Sequence, residues 1–167
     1  MSNFQKQLKL CIPSPSDGAS VFRLINQCPP LDTNSMYCNL LQCTHFAKTS
    51  VAAVQNNEAE KDLLGFISGY LKPENKNTLF IWQVAVDERA RGIGLAGSML
   101  KHLLDRPQCS HVKYLETTIT ESNRASSALF ESLAKKSKTK LEKTTMFDRD
   151  KHLGISHGLA LFKSYRL

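Results

Sequence analysis

No apolar run in the sequence approaches the roughly 20 residues a membrane-spanning helix needs, and residues 1–10 are polar and basic rather than the apolar stretch of a signal peptide. No membrane partner is expected, and the cytoplasm is the expected location. The five cysteines, at 11, 28, 38, 43 and 109, contain no Cys-x-x-Cys pair and leave one over. That argues against a disulfide framework and against a zinc site, so reduced thiols and no metal are expected. Two phosphate-binding signatures are also missing. There is no Gly-Lys-Ser/Thr to close a P-loop, and no third glycine to complete Gly-x-Gly-x-x-Gly. Nucleotide hydrolysis and a parallel dinucleotide-binding unit therefore have little support.

Charge is in excess on one side only. Of the net +7, residues 1–100 hold nine Lys/Arg against eight Asp/Glu, while residues 101–167 hold thirteen against seven. Lys135, Lys136, Lys138, Lys140 and Lys143 form a dense cluster that reads either as a solvated helix end or as an attractor of anions. With no aromatic residues interleaved to stack bases, nucleic acid is not the expected partner. A length of 167 residues with 41% hydrophobic content suits one domain, 1–167, with an ordinary core.

Apolar periodicity outlines the elements. Leu8 to Ile12 reads as a strand ended by Pro13 and Pro15. A helix capped by Ser16 or Asp17 follows, with Val21, Leu24, Ile25 and Cys28 at i, i+3, i+4, i+7, up to Pro29-Pro30. Asn34 or Ser35 can cap a second helix carrying Tyr37, Leu40, Leu41 and Phe46. Thr49 to Gln55, Leu63 to Leu71 and Leu79 to Val86 are three β-runs joined by polar turns, which suggests an antiparallel meander. Ile93, Ala96, Leu100, Leu103 and Leu104 keep a helical period, Val112 to Ile119 is a further strand, and Asn123 opens a helix with Ala125, Leu129 and Leu133 on one side. Two last strands are expected near Leu141 to Phe147 and Gly158 to Phe162.

Between the third β-run and the helix that follows lies Arg89-Ala90-Arg91-Gly92-Ile93-Gly94. Two glycines let the backbone approach a ligand closely, and the helix N-terminus behind them adds partial positive charge, so this unit can bind a phosphate or pyrophosphate. On the strand after the helix, Glu116 sits among residues expected inside, and a partly buried carboxylate there suits a proton acceptor or an ion pair with a Lys or Arg. Asp32, with Asn34 close by, reads as an ammonium partner or a turn aspartate. Tyr37 reads as a pocket hydroxyl or a packing residue. Trp82 reads as a pocket wall offering a cation–π face or an ordinary core aromatic. His45, Cys28 and Cys11 read as structural residues.

The element order with Arg89-x-x-Gly92-x-Gly94 resembles the GCN5-related N-acetyltransferases. The resemblance implies an α+β fold: a mixed, mostly antiparallel central sheet of about six to seven strands flanked by about four helices. It implies acetyl-CoA as cosubstrate, with Arg91, Gly92, Ile93, Gly94, Leu95 and Ala96 at its pyrophosphate. Backbone groups of Val84, Ala85 and Val86, at a splayed strand end, and Asn123 would then meet the pantetheine arm. Five strings are more specific: Leu31-Asp32-x-Asn34-Ser35-x-Tyr37, Cys43-x-His45-Phe46, Phe66-x-Ser68-Gly69-Tyr70, Thr78-Leu79-Phe80-x-Trp82-Gln83-Val84-Ala85-Val86 and Glu116-Thr117-Thr118. They resemble members of the family that acetylate a small-molecule diamine, the γ-amine of L-2,4-diaminobutyrate, in synthesis of the compatible solute ectoine. Carried over, Glu116 and Tyr37 are the catalytic candidates, and Asp32, Asn34, Tyr37, Trp82 and Thr117 the substrate-binding ones. A homodimer is also implied.

Two departures stand out. Many members place a tyrosine acid where this chain has Phe130, which leaves Tyr37 or solvent to protonate the thiolate. Members acting on the diamine tend to end in a His-Glu-Asp-Glu-like segment, whereas this chain reads His157-Gly158-Leu159-Ala160-Leu161-Phe162, and neither His152 nor His157 supplies negative charge. The competing readings are acetylation of another amino acid, a polyamine or a protein N-terminus, and a non-catalytic module that binds acetyl-CoA or RNA. A basic chain repels polyamines.

Overall fold

The computed structural model describes residues 8–56, 61–120, 122–147, 149–152 and 159–165. Seven strands form one sheet in the order β1-β2-β3-β4-β5-β7-β6: β1 Leu8–Cys11, β2 Val51–Asn56, β3 Lys61–Lys72, β4 Asn75–Val86, β5 Tyr114–Thr120, β6 Leu141–Phe147 and β7 Leu159–Tyr165. The helices are α1 Gly18–Asn26, α2 Met36–Gln42, α3 Leu95–Leu104, α4 Arg124–Lys136 and the four-residue α5 Arg149–His152. This is the mixed α+β arrangement expected from the element order. No helix among the described residues is long and apolar enough to cross a membrane.

The chain divides into two compact units, Met1–Tyr70 with Gln83–Ser110, and Leu71–Trp82 with His111–Leu167. In the first, β1, β2 and β3 pair antiparallel, and a register shift between Ala53 and Val54 marks a bulge. Strand alternation sends Ala52 and Val54 into a cluster with Val21, Leu24, Ile25, Cys28, Cys43, Leu63, Phe66 and Ala85, beneath α1 and α2. α3 packs from the other face, where a Cβ on Gly65 would lie 2.8 Å from Met99 Cε and 3.3 Å from Ala53 Cβ. A glycine is needed there for that approach. Arg106, 7% exposed, ties the edge together: Nη1 donates to the carbonyls of Ser50 at 2.6 Å and Lys48 at 3.2 Å, and Nη2 to that of Cys11 at 3.3 Å.

Asp17, one of the two expected caps, is the N-cap residue of the first helix, and a short turn precedes it. A 3-10 turn, Pro15–Asp17, is capped by Ser14, whose N–H and Oγ–H donate to Asp17 Oδ2 at 2.8 and 2.9 Å. Helix α2 is capped by Ser35, which accepts from Cys38 N–H at 3.1 Å, but it ends at Gln42, so Phe46 lies beyond it, its ring 5.8 Å from that of Tyr70. Its buried positions are Asn39 and Gln42 rather than Tyr37 or the leucines. The two amides reach each other there, Asn39 Nδ2 donating to Gln42 Oε1 at 3.0 Å.

In the second unit β4 runs parallel to β5, pairing Thr78–Ile81 with Tyr114–Thr117, and β7 pairs antiparallel with both β5 and β6. The parallel ladder ends at Ile81, and β4 continues as strand to Val86. Helix α4 departs from expectation. It buries Phe130 and Ala134 and leaves Ala125 exposed, so its inward stripe is rotated from the expected one.

Candidate active site

The loop after β4 is built as the glycines require. A 3-10 turn, Glu88–Ala90, leads to Gly92 at φ 76° and Gly94 at φ 79°, left-handed values that side chains resist. Gly94 is the N-cap of α3, whose first bond within the helix is Ser98 N–H to Gly94 O at 3.1 Å. The N–H groups of Leu95, Ala96 and Gly97 thus have no carbonyl one turn back within the helix, and they lie at the positive end of a ten-residue helix. Nothing lies within 4 Å of where a Cβ would stand on Gly92 or Gly94, so the loop is open on that side.

The turn before the loop is braced by charge. Arg89 Nη1 and Nη2 donate to Asp62 at 2.7 and 3.2 Å, while Nε and Nη2 donate to Asp87 at 2.8 and 2.9 Å. The Arg89 hydrogen bonds hold the Asp87 carboxyl below the usual carboxylate range, although burial pulls the other way. Arg89 is committed to this brace. Arg91 lies along the strand end instead, Nε donating to Val86 O at 3.1 Å and Nη2 to Cys28 Sγ at 3.8 Å.

Asp32, Asn34 and Tyr37 belong to the same unit as this loop. Asp32 is exposed, Asn34 half-buried, and Tyr37 is 69% exposed at the start of α2. Gln83 joins the first two: its Nε2 donates to Asp32 O at 2.7 Å, and its Oε1 accepts from Asn34 Nδ2 at 2.6 Å. His45 is exposed, and Cys28 is buried in the core.

Trp82, Glu116, Thr117 and Asn123 belong to the second unit. Trp82 is 40% exposed on β4. The Glu116 side chain is 5% exposed and forms an ion pair with Lys72, Nζ donating to Oε2 at 2.8 Å. Thr117 is buried and, as the next residue of β5, points to the opposite face. Asn123 caps α4, Oδ1 accepting from Ser126 N–H at 3.1 Å. Phe130 is a core residue at 3% exposure. His152 lies in α5 with its ring 6.1 Å from that of Phe147. His157 and Gly158 lie outside the described residues. In the lysine cluster, Lys140 pairs with Glu142 at 3.0 Å and Lys143 with Glu131 at 2.6 Å. Among the described residues no group of three or more His, Cys, Asp or Glu side chains could hold a metal ion.

Gln83, Lys72 and Arg89 are the residues that sequence reasoning left without a role. A glutamine inside the apolar run from Leu79 to Val86 was the available signal for the first.

A glycine-capped helix N-terminus after a strand that outruns its parallel ladder is a place suited to an anion. The chain belongs to the acetyltransferase (GNAT) family, whose model matches residues 19–134. It is 53% identical over 150 residues to the L-2,4-diaminobutyric acid acetyltransferase of Methylotuvimicrobium alcaliphilum, covering 90% of this chain and 85% of that one. With the protein of the same name from Vibrio parahaemolyticus the identity is 51% over 145 residues, covering 87% and 78%. Among solved structures it is similar to the diaminobutyrate acetyltransferase of Paenibacillus lautus, in complex with L-2,4-diaminobutyric acid and coenzyme A. There the TM-score is 0.87 at 34% identity, covering 95% of each chain. The open glycine loop and the first-turn N–H groups of α3 fit the pyrophosphate of such a cosubstrate.

Proposed function

We propose that this protein transfers acetyl from acetyl-CoA to the γ-amine of L-2,4-diaminobutyrate, a step of ectoine synthesis. The observation that carries the choice of amine is the identity of 53% and 51% to proteins of that name over most of the chain. The loop from Arg91 to Ala96 holds the pyrophosphate, and the backbone of Val84–Val86 and the side chain of Asn123 meet the pantetheine arm. Residues 1–167 act as a single N-acetyltransferase domain. It works as a homodimer, as the family resemblance implies, in the cytoplasm, a location supported by five free cysteines.

The chemistry divides among the named residues. An alkyl ammonium of pKa about 10 must lose a proton before its nitrogen can attack the thioester carbonyl. Glu116 accepts that proton, directly or through water. The N–C bond forms, the C–S bond breaks, and the departing thiolate takes a proton from Tyr37 or solvent. Asp32 and Asn34 bind the substrate's charged groups, with Trp82 facing its ammonium and Thr117, whose side chain lies on the other face of β5, contributing through its backbone.

Acetyl transfer to diaminobutyrate, ornithine, lysine, spermidine and N-terminal peptides, measured side by side, tests the reading. Diaminobutyrate is expected to turn over fastest, and faster turnover of another amine refutes the choice. Glu116→Gln is expected to lower kcat by about 10²-fold or more, with the KM for acetyl-CoA unchanged. A purely structural ion pair would behave differently: Lys72→Met combined with Glu116→Gln would then restore kcat, which removes Glu116 as the base. Two of the five clustered lysines are already paired with glutamates, which lowers the charge the cluster offers to RNA.

A further inference from the structure

Gln83 is the polar residue within the apolar run from Leu79 to Val86, and it is 7% exposed. A buried amide needs partners, and both polar atoms of this one are spent on the same loop. Its N–H donates to Asp32 O at 2.7 Å and its oxygen accepts from Asn34 Nδ2 at 2.6 Å. The orientation is fixed from both sides. Turning the amide over would set oxygen against the Asp32 carbonyl and NH2 against the Asn34 NH2. The loop so held lies between Leu31, packed on the core cluster, and Ser35, which caps α2, and it presents an exposed Asp32.

We propose that Gln83 is a positioning residue for amine recognition: its buried amide clamps Asp32 and Asn34 so that the Asp32 carboxylate stands where the substrate's ammonium arrives. This rests on the function proposed above. Asn34 also acts through the clamp: one of its N–H groups is committed to Gln83, which leaves the rest of its amide for the substrate. Without the clamp the loop samples other conformations, and the carboxylate binds ammonium only in the fraction that still presents it.

The test separates amine recognition from folding. Gln83→Met keeps the volume and removes both hydrogen bonds, and Gln83→Glu keeps the acceptor for Asn34 while removing the donor to Asp32. Asn34→Ala removes one bond and leaves β4 intact. The expected result is a rise in KM for the diamine of about tenfold in Gln83→Met and about threefold in Asn34→Ala, with the KM for acetyl-CoA within about twofold of wild type. In the Gln83→Met background Asp32→Ala should cost less than it does alone, because Gln83 acts through Asp32. A parallel rise in both KM values, or full additivity with Asp32→Ala, overturns the proposal.

Hydrogen exchange of the segment 31–38 in the free protein should be faster in Gln83→Met, and unchanged exchange overturns the clamp without reference to any substrate. The kinetic arm uses whichever amine the wild-type protein acetylates fastest. A wild type that prefers another amine refutes the proposed substrate, whereas the clamp fails only on the variants.

Discussion

Replacing Gly94 by alanine tests whether the loop before α3 carries the cosubstrate, because the structure separates backbone strain from collision. Gly94 has φ 79° and ψ 14°, and nothing lies within 4 Å of the added Cβ, so the cost arises in the backbone alone. An L-residue in that left-handed region costs about 1–2 kcal/mol. If the loop swings to relieve the strain, the same energy is lost from the conformation that binds pyrophosphate, which is roughly a 5- to 30-fold loss of affinity. If it does not swing, the Cβ stands in the open space beside the first-turn N–H groups and hinders the phosphates directly. Both routes weaken acetyl-CoA binding.

Gly97 is an internal control three residues on. It too has open space around its Cβ position, but it lies inside the helix, so Gly97→Ala should raise stability by about 0.5–1 kcal/mol. Thermal unfolding, at about 2–4 °C per kcal/mol for a chain of this size, should therefore shift in opposite directions for the two variants. Calorimetric titration with acetyl-CoA completes the assay. A Gly94→Ala protein that binds acetyl-CoA within about twofold of wild type would refute the placement of the pyrophosphate on this loop.

Two further outcomes follow from the charged groups. Arg89 lowers the carboxyl pKa of Asp87 in the folded protein, so the folded state binds fewer protons there than the unfolded state does. That contribution is present above the ordinary carboxylate pKa and is lost as pH falls through the lower folded value. Arg89→Met should flatten the fall in Tm between about pH 5 and 3, and parallel profiles would refute the brace. Arg106→Leu strips a donor from three carbonyls at 2.6, 3.2 and 3.3 Å and should cost about 3 kcal/mol, with Arg106→Lys recovering only part, as read by denaturant unfolding.

Where apolar periodicity was the signal, it located the elements. Val21, Leu24, Ile25 and Cys28 recur at helical spacing, and all four are at most 5% exposed. Periodicity failed where something other than apolar side chains made the contact. Helix α2 turns Asn39 and Gln42 inward because one amide reaches the other, and no count of leucines reveals that. β4 begins at Asn75, earlier than the apolar run, because backbone hydrogen bonds extend a hairpin irrespective of side-chain polarity. The inward stripe of α4 was misplaced by small residues: Ala125 fits either face of a helix, while the bulk of Phe130 decides which one is buried.

The candidate site follows a different rule, in which a polar side chain inside an apolar strand must find a partner. Glu116 meets that description in the sequence, and Gln83 meets it equally well. What neither position disclosed was the partner, which lies 44 residues away for Glu116 and 51 and 49 residues away for Gln83. Contacts at that separation depend on strand order, which local pattern does not encode. The partners then set different constraints on chemistry. Lys72 balances the charge of a carboxylate, so its loss, under the proposed role of Glu116, would be read in kcat. Gln83 holds a backbone carbonyl and an amide, so its loss acts on the shape of a loop and would be read in the KM for the amine. The two misfits of β4 and β5 thus separate by kinetics, although the sequence presents them as the same anomaly.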